Sequence, residues 1–388
     1  MNRIVRHSSR IELSQSALKA NISFIRKKVG EGPVISSVVK ANAYGHGIEA
    51  FVPMAEKAGV RHFSTASAHE AEEVLHSRTK DSDIMIMGIL YGQDLAWAIE
   101  HGIEFYVFDF ERLQGALKAA KELDKPAKVH LEAETGTNRT GMHEKEFLKC
   151  ISLLKKNKDY LHCYGVCSHL GGAESLSNQF KIDQQKDLFK KFLKLAKDKG
   201  IKPKYRHLAC SAAALAMPDT TYDMVRVGVA QYGFWPSPDI YFMHLQSVDK
   251  VKDNPMRRVI SWKTDVMAIK QVKKGEFIGY GTSFQALRNM DVAVIPLGYC
   301  NGYARGLSNR GHVLIKGKKA PIVGLVNMNL FMVDITHLTG VEPGEEVVLI
   351  GRQGNNSITV SSFSNTSNLL NNEMISRLPS AIPRVAVR

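Results

Sequence analysis

The sequence predicts an α/β protein in which a (β/α)8 TIM-like barrel precedes a mainly antiparallel β domain. The chain has 388 residues, more than most single hydrophobic cores organise. About eight short apolar segments alternate with helical stretches up to residue 247, which is the pattern of a barrel. From residue 248 onward, β-rich segments separated by turn signals replace that alternation. We therefore predict a barrel domain over residues 11–247 and a β-rich domain over residues 248–388.

The elements follow from the spacing of apolar residues. Residues 11–29 have helical spacing, and the β-branched run that ends at Val39 predicts the first barrel strand. The other barrel strands are predicted over residues 62–66, 83–87, 104–108, 128–133, 163–169, 205–209 and 224–230. The second domain has predicted strands over residues 259–269, 292–296, 312–316, 320–324, 331–335 and 346–350, and a helix over residues 360–370.

The composition is that of an ordinary globular protein, with 44% hydrophobic and 23% charged residues. The net charge is +14, but its lysines fall on amphipathic helices such as residues 190–197, without a nucleic-acid recognition motif. We therefore expect a solvated basic face and no nucleic-acid partner. The polar N-terminus resembles neither a secretory signal nor a membrane anchor, so we expect a cytoplasmic protein that makes no membrane contact.

The five cysteines are few, odd in number and scattered, which argues against a disulfide framework and favours a reducing compartment. Cys163 and Cys167 lie near His162 and His169, a grouping that raises the question of a metal site. These residues belong to a single predicted strand, and no second cluster of ligands follows. The sequence therefore predicts no metal centre.

Lys40 ends the first predicted barrel strand, where burial gives way to solvent. Partial desolvation lowers the pKa of a lysine and frees its neutral amine, which can form a Schiff base with a carbonyl such as that of pyridoxal 5'-phosphate. Tyr44 follows among small residues and can reach an anionic group beside that amine. A lysine that extends from a strand end into solvent is the ordinary alternative.

Residues 38–47, Val-Val-Lys-Ala-Asn-Ala-Tyr-Gly-His-Gly, resemble the pyridoxal-phosphate lysine signature of the alanine racemase family. The resemblance recurs along nearly the whole chain. It implies a pyridoxal 5'-phosphate cofactor, a small amino-acid substrate, and a barrel followed by a β domain that residues 1–10 join. It also implies a homodimer with two active sites at the interface.

Racemisation removes the Cα proton from one face of the substrate and returns a proton on the other, so two bases on opposite faces are the simplest solution. Lys40 is one base, and the resemblance makes Tyr280, within residues 279–282, the other. His169 matches the family histidine that hydrogen-bonds this tyrosine. Arg226 matches the arginine that faces the ring nitrogen, and because a guanidinium keeps its protons at neutral pH it does not give one to the ring.

The resemblance also assigns the groups that bind phosphate and substrate. The family's phosphate site corresponds to Tyr44, Ser211, Gly228 and Val229, and Ser211 is in addition a predicted helix N-cap. The substrate site corresponds to Arg139, Met328 and the entrance tyrosine Tyr299. In the family, Tyr280, Tyr299 and Met328 reach into the barrel of the partner subunit.

Four positions depart from the family pattern. Glu132 stands where many members carry a lysine that becomes carbamylated, and its own negative charge makes that modification unnecessary for orienting Arg139. Asn329 replaces an aspartate, Cys300 replaces an alanine, and Ser380 stands in place of a phosphate-binding tyrosine. The changed entrance leaves two substrate ranges open, alanine alone or a broader set of amino acids.

Two other functions compete with racemisation. Another pyridoxal-phosphate barrel enzyme, a decarboxylase or an aldolase, would leave the set of Tyr280, His169 and Arg226 unexplained, because a decarboxylase returns only one proton. A non-catalytic pyridoxal-phosphate carrier would resemble the barrel alone. The second domain and Tyr280 therefore favour the racemase.

Overall fold

The computed structural model describes residues 7–247, 254–367 and 370–388, without the side chains of residues 364–367. The chain divides into two compact units. The barrel unit contains Ser16–Ala41 and Val52–Arg258, and the second unit contains Met1–Gln15, Asn42–Phe51 and Val259–Arg388. Residues 248–253, at the predicted domain boundary, and residues 1–6 of the predicted joining segment lie outside the described residues.

Strand β1 (Ser9–Ser14) precedes the barrel and belongs to the second unit. The eight barrel strands are β2 (Val34–Val38), β3 (His62–Thr65), β4 (Asp83–Ile86), β5 (Glu104–Val107), β6 (Ala127–Glu132), β7 (Leu161–Cys167), β8 (Tyr205–His207) and β9 (Met224–Val227). The helices that accompany them are α1 (Gln15–Val29), α2 (Lys40–Tyr44), α3 (Ile48–Lys57), α4 (Ala68–Ser77), α5 (Gly92–Glu100), α6 (Phe110–Leu123), α7 (Glu144–Lys156), α8 (Gln179–Asp198), α9 (Ser211–Ala216) and α10 (Pro238–Gln246). Single 3-10 turns cover Leu176–Asn178 and Pro218–Thr220.

The barrel strands are all parallel and pair in the order β8-β7-β6-β5-β4-β3-β2-β9, which confirms the predicted TIM-like barrel. Strands β8 and β9 meet through separate hydrogen bonds and not through a paired ladder. Arg226 donates its backbone N–H to the Ala209 carbonyl at 3.0 Å, and Asp223 donates to the Arg206 carbonyl at 3.0 Å. The barrel is therefore nearly closed, and the carboxyl ends of its strands form one rim, where this fold places its active sites.

The second unit is a mainly antiparallel β structure, as predicted. Its further elements are β10 (Ile260–Asp265), β11 (Ala268–Val272), β12 (Met290–Ile295), β13 (His312–Ile315), β14 (Lys318–Pro321), β15 (Phe331–Asp334), β16 (Glu346–Gln353), β17 (Asn356–Ile358), α11 (Val360–Ser367), α12 (Asn371–Ser376) and β18 (Arg384–Val387). Single 3-10 turns cover Tyr299–Asn301 and Arg305–Leu307. One sheet runs β14-β13-β16-β10-β1-β18, with β17 beside β16, and the other runs β11-β12-β15.

Two sequence-based boundaries were wrong. The helix predicted from residue 11 begins at Gln15, because Ile11 and Leu13 alternate with less buried neighbours and pair within β1. The single strand predicted over residues 259–269 is two strands. Val266 donates its N–H to Glu345 and Met267 donates to Val294, so the chain passes from one sheet to the other at this point. Within the ranges described, no helix has the length and apolar character needed to cross a membrane.

Candidate active site

Lys40 is the first residue of α2, separated from the end of β2 by Val39, and the backbone that follows it is left-handed. Ala41, Asn42, Ala43 and Tyr44 have φ between 51° and 53°. A left-handed conformation costs an L-residue about 1–2 kcal/mol, and consecutive residues rarely adopt it. Strained backbone of this kind persists where surrounding contacts impose it, and it concentrates at functional sites. The sequence analysis did not anticipate this turn.

Glu70 holds the start of the left-handed turn. Its carboxylate accepts the N–H of Ala41 at 2.6 Å through one oxygen and the N–H of Ala66 at 2.8 Å through the other. Glu70 lies in the first turn of α4, where its own N–H is donated to the N-cap hydroxyl of Ser67 at 3.3 Å. The role of Glu70 was not predicted from the sequence, although Ser67 and Glu70 have the spacing of a capping box.

The environment of Lys40 lowers the pKa of its amine. Lys40 is exposed at the barrel rim in the isolated chain, but the surrounding protein desolvates the amine in part. This burial lowers the pKa of Lys40, and the positive charge of Arg139 lowers it further, while Glu70 acts in the opposite direction. A lysine with a lowered pKa can act as a nucleophile and as a proton acceptor.

His169 lies two residues beyond the end of β7 and is held neutral by its surroundings. Burial and neighbouring cations lower the pKa of His169 to about 3. Those cations are Arg226, Arg139 and Lys40, so the structure brings four of the predicted site residues together at one rim. A cluster of cations around a neutral imidazole suits ligands that carry phosphate and carboxylate groups.

Arg226 is buried on β9 and firmly oriented. Its Nη1 donates to His207 Nδ1 at 2.5 Å, and its Nη2 donates to the carbonyls of Ser168 at 2.7 Å and Leu208 at 3.3 Å. These acceptors come from the neighbouring strand ends and from the barrel interior. The guanidinium is therefore fixed before any ligand binds.

Ser211 and Gly228 form a prearranged polar corner. The Ser211 hydroxyl accepts the Gly228 N–H at 2.9 Å, and Val229 follows Gly228 directly. The prediction that Ser211 is an N-cap was wrong, because the N-cap of α9 is Cys210 and its side chain makes no capping bond. The Ser211 hydroxyl instead joins the loop after β9 to the start of α9. Tyr44, at the end of α2, is the remaining residue of the predicted phosphate site.

Arg139 is exposed on the loop after β6, and a second carboxylate that the sequence analysis missed shapes this loop. Glu134 accepts the backbone N–H groups of Gly136, of Thr137 at 2.8 Å and of Asn138 at 2.9 Å. Asn138 is itself left-handed, with φ of 51°. Three donors on one buried carboxylate keep the backbone that carries Arg139 in a defined conformation.

Glu132, the first departure from the family pattern, is buried at the end of β6. Burial raises the pKa of its carboxyl, while a bond to Thr140 and the positive charges of Arg226 and Arg139 act in the opposite direction. Among the residues that the structure describes, no ion pair within 4.0 Å joins Glu132 to either arginine. Glu132 therefore acts on Arg139 through space and not through a direct ion pair.

The other predicted site residues lie on the second unit. Tyr280 is 75% exposed between Gly279 and Gly281, whose φ values are 77° and 67°. Tyr299 is 41% exposed and Met328 is 55% exposed. The second unit thus presents three large side chains to solvent in the isolated chain.

Tyr299 and Met328 lie on two segments that touch each other. Tyr299 donates its N–H to Asn327 at 3.0 Å, and Cys300 donates its N–H to Met328 at 3.1 Å. The residue before Tyr299 must be glycine, because a Cβ on Gly298 would lie 2.3 Å from the Met328 carbonyl oxygen.

Two of the departures from the family pattern, Cys300 and Asn329, contact each other. The Asn329 amide donates to the Cys300 sulfur at 3.0 Å. Ser380, the replacement for the phosphate tyrosine, is exposed, and its carbonyl accepts a bond from Arg384 at 2.9 Å. The changes at Cys300 and Asn329 therefore form a single local feature of the predicted substrate entrance.

The groups on the barrel rim fit pyridoxal 5'-phosphate. This cofactor carries an aldehyde, an anionic phosphate and a ring nitrogen, and it therefore needs an amine, hydroxyl and amide donors, and a polar group that faces the ring. Lys40 supplies the amine, Ser211 and the Gly228 loop supply the polar corner, and Arg226 supplies a fixed guanidinium. The donor set matches the cofactor group by group.

Comparisons with known proteins agree with this fit. The family model for the alanine racemase N-terminal domain matches residues 13–236, and the model for the alanine racemase C-terminal domain matches residues 259–386. Alanine racemase from Leptospira interrogans is 33% identical over 384 residues, which cover 98% of this chain and 96% of the relative. The structure of alanine racemase from Streptomyces coelicolor A3(2) superposes with a TM-score of 0.87 at 29% identity and covers 98% of both chains. Alanine racemase from Bacillus anthracis with bound L-Ala-P superposes with a TM-score of 0.85 at 29% identity and covers 99% of this chain and 96% of that one.

Proposed function

Because this chain belongs to the alanine racemase family, we propose that it interconverts L- and D-alanine with Lys40 and Tyr280 as its two bases. Like the other members of its family, the enzyme is an isomerase that depends on pyridoxal 5'-phosphate. The observation that carries the residue assignment is the rim cluster, in which Lys40 has a lowered pKa beside neutral His169 and fixed Arg226.

Each residue of the rim has a role in this reaction. The phosphate would be held by Ser211, Gly228, Val229 and Tyr44, and the ring would be held by Arg226. When bound, pyridoxal 5'-phosphate acidifies the Cα proton of the amino acid by accepting the electron density that its removal releases. Because the Arg226 guanidinium does not give up its protons at neutral pH, it orients the ring without protonating it.

The protein supplies the proton transfers. Lys40, with its lowered pKa, exchanges a proton with Cα on one face of the substrate, and the Tyr280 hydroxyl does so on the other face. His169 hydrogen-bonds the tyrosine in this scheme, because a neutral imidazole has a ring nitrogen that can accept a hydrogen bond from the tyrosine hydroxyl. Arg139 and the Met328 backbone bind the substrate carboxylate, and Tyr299 borders the entrance.

Tyr280→Phe tests the assignment of the second base. We expect the variant to keep the visible absorption band of the lysine-bound cofactor and to lose turnover in at least one direction, because only the proton on one face is lost. Racemisation by the purified protein would be measured once with L-alanine and once with D-alanine as the substrate. Unchanged turnover in both directions would contradict the two-base proposal.

Cys300 and Asn329 depart from the family pattern and contact each other at the predicted entrance, which leaves a racemase of broader specificity as a second candidate. A panel of L-alanine, L-serine, L-lysine, L-arginine and L-methionine separates the two. Turnover confined to alanine means that the altered pair is neutral, whereas comparable turnover of the long side chains assigns the pair to a wider substrate site. Absence of turnover with the cofactor band intact would favour the decarboxylase or aldolase.

We also propose a homodimer in which residues 11–247 bind the cofactor and residues 248–388, joined by residues 1–10, supply Tyr280, Tyr299 and Met328 to the partner. The exposure of these three side chains in the isolated chain supports this arrangement. Mixing Lys40→Ala chains with Tyr280→Phe chains tests it, because a mixed dimer regains one complete site. Activity should rise to about one quarter of the wild-type value after random mixing, and no recovery would contradict a shared site.

A cytoplasmic location is a further proposal. All five cysteines are free thiols, which suits a reducing compartment. Fractionation of cells with a cytosolic marker would test the location, and racemase activity that separates from the marker would refute it.

A further inference from the structure

A continuous hydrogen-bond network fills the barrel interior beneath Arg226. Every member is buried, and together the members span six of the eight strands. We refer to these residues as the interior network: Ser64, Ser36, His62, Glu104, His130, His207 and Arg226. Of these residues, the proposed reaction uses only Arg226.

Proton positions on the Arg226 side are fixed by what each group can do. Arginine only donates, so His207 must accept from Arg226 with Nδ1 and carry its own proton on Nε2. His207 Nε2 then donates to His130 Nδ1 at 2.8 Å, which places the His130 proton on Nε2. His130 Nε2 donates to Glu104 Oε2 at 2.8 Å. Every bond between Arg226 and Glu104 therefore points toward the carboxylate.

The opposite side of the network also ends at Glu104. His62 Nε2 donates to the same carboxylate oxygen at 3.2 Å, and His62 Nδ1 accepts from the Ser36 hydroxyl at 2.9 Å. Burial alone would raise the pKa of the Glu104 carboxyl, but the two imidazole donors outweigh burial and hold this pKa well below its usual range. Burial lowers the pKa of His130, so that histidine stays neutral with one proton to place.

The network has one alternative arrangement, which the Glu104 carboxylate at one end and the donor groups of Arg226 at the other exclude together. If the His130 proton moved to Nδ1, it would face His207 Nε2 and drive the His207 proton to Nδ1. That proton would then meet an N–H of Arg226 across a distance of 2.5 Å, with two donors facing each other. An unmade bond at a buried donor is costly, so Arg226 would have to turn away.

We propose that Glu104 is a positioning residue that fixes the tautomers of His130 and His207 and thereby orients Arg226. This inference rests on the proposed role of Arg226 at the cofactor ring. Glu104 itself touches neither substrate nor cofactor in this scheme. Glu104 acts through His130 and His207, so its carboxylate in the barrel interior influences the orientation of the Arg226 guanidinium at the rim.

Selective ¹⁵N-histidine labelling of the cofactor-loaded enzyme tests the proposal, because ring-nitrogen NMR signals distinguish the two tautomers. In Glu104→Leu we expect the Nε2–H form of His207 to lose population, because Arg226 alone then opposes the alternative tautomer, and kcat/KM to fall about 10- to 100-fold. Glu104→Gln keeps an acceptor oxygen and should keep the Nε2–H form, with kcat/KM within about 10-fold of wild type. Glu56→Gln is the matched control, since Glu56 is another buried, hydrogen-bonded barrel carboxylate outside the network.

A second pair keeps the test decisive if Glu104→Leu does not fold. His130→Leu and His62→Leu each remove one buried imidazole bonded to Glu104, but only His130 lies on the side of Arg226. We expect the Nε2–H form of His207 to lose population in His130→Leu, because this buried N–H then has no acceptor, and to keep its population in His62→Leu. An unchanged His207 tautomer in Glu104→Leu or in His130→Leu would overturn the proposal, as would an altered tautomer with unchanged kcat/KM. Absence of racemisation by the unmodified chain would overturn the proposed function instead, because the NMR signals do not depend on turnover.

Discussion

The Glu70 carboxylate holds the backbone that presents Lys40, so Glu70→Gln should weaken cofactor binding without touching any group that contacts the cofactor. The carboxylate accepts one N–H with each oxygen, from Ala41 at 2.6 Å and from Ala66 at 2.8 Å. A glutamine keeps one acceptor oxygen and turns an NH2 toward the other backbone donor. One bond is lost, and two donors then face each other.

The magnitude follows from these contacts. A hydrogen bond to a charged acceptor contributes about 1.5–3 kcal/mol, and the lower half of that range applies because Glu70 is half-buried. We therefore expect Glu70→Gln to lower the free energy of unfolding by about 2 kcal/mol, or roughly 4–8 °C in Tm. Four left-handed residues need about 4–8 kcal/mol of support, so this loss is a substantial part of what holds the turn. If the turn opens at that cost, apparent cofactor affinity should fall about 10- to 30-fold.

Two assays check this prediction. Titration of the protein with pyridoxal 5'-phosphate, followed by the visible band of the lysine-bound cofactor, measures affinity, and urea unfolding measures stability. Glu72→Gln is the matched control, because it removes the same charge from an exposed position on the same helix. The control should change stability by less than about 0.5 kcal/mol. A Glu70→Gln protein that matches the control in both assays would refute the reasoning.

Three further predictions concern stability. Gly45→Ala should prevent stable folding, because φ is 78° at this position and a Cβ there would lie 1.9 Å from a backbone carbonyl oxygen of α12. Gly30→Ala is the control: its φ is 81° but the surrounding space is open, so it should cost only about 1 kcal/mol. Comparable urea midpoints for the two variants would contradict this prediction. Glu56→Gln should destabilise by about 1–3 kcal/mol at neutral pH. Burial alone would raise the pKa of Glu56, but its hydrogen bonds outweigh burial and hold this pKa below the ordinary 4.5. The difference in free energy of unfolding between wild type and variant should therefore shrink as pH falls below that value. A difference that does not vary with pH would contradict this prediction. Arg384→Lys should lower the free energy of unfolding by about 2–4 kcal/mol, because the guanidinium donates to several backbone carbonyls that one ammonium cannot reach together. Arg352→Lys, at an exposed position, is the control and should leave stability unchanged. Equal thermal midpoints for the two variants would contradict this prediction.

Much of the barrel site could be predicted from the sequence, because its residues lie in short motifs beside strand ends. Lys40 follows an apolar β-branched run, and His169 and Arg226 lie beyond or within apolar strands of the same kind. Parallel strands bring their carboxyl ends to one rim, so residues far apart in the chain become neighbours once the barrel is predicted. The assignment of individual roles came from the family resemblance and not from spacing.

The residues that orient the site could not be predicted in this way. Glu70, Glu134 and Glu104 act through hydrogen bonds to backbone N–H groups or to imidazoles, and a carboxylate in such a role leaves no pattern of its own in the sequence. Glu104 is the first residue of an otherwise apolar strand, and a glutamate is seldom fully buried unless it is paired. The left-handed turn after Lys40 was equally hidden, because alanine and tyrosine do not favour that conformation.

The sequence by itself determined the two-part architecture, the positions of the eight barrel strands and the candidate cofactor lysine, since apolar periodicity and a contiguous motif are local properties of the chain. Tertiary structure alone decided that the segment around Ile11 and Leu13 is a strand, because that choice depends on pairing with β10 and β18. It also decided which proton each interior histidine carries, since a tautomer is set by its partners in space. Local patterns specify where elements form, whereas long-range hydrogen bonds specify how the side chains on those elements are oriented.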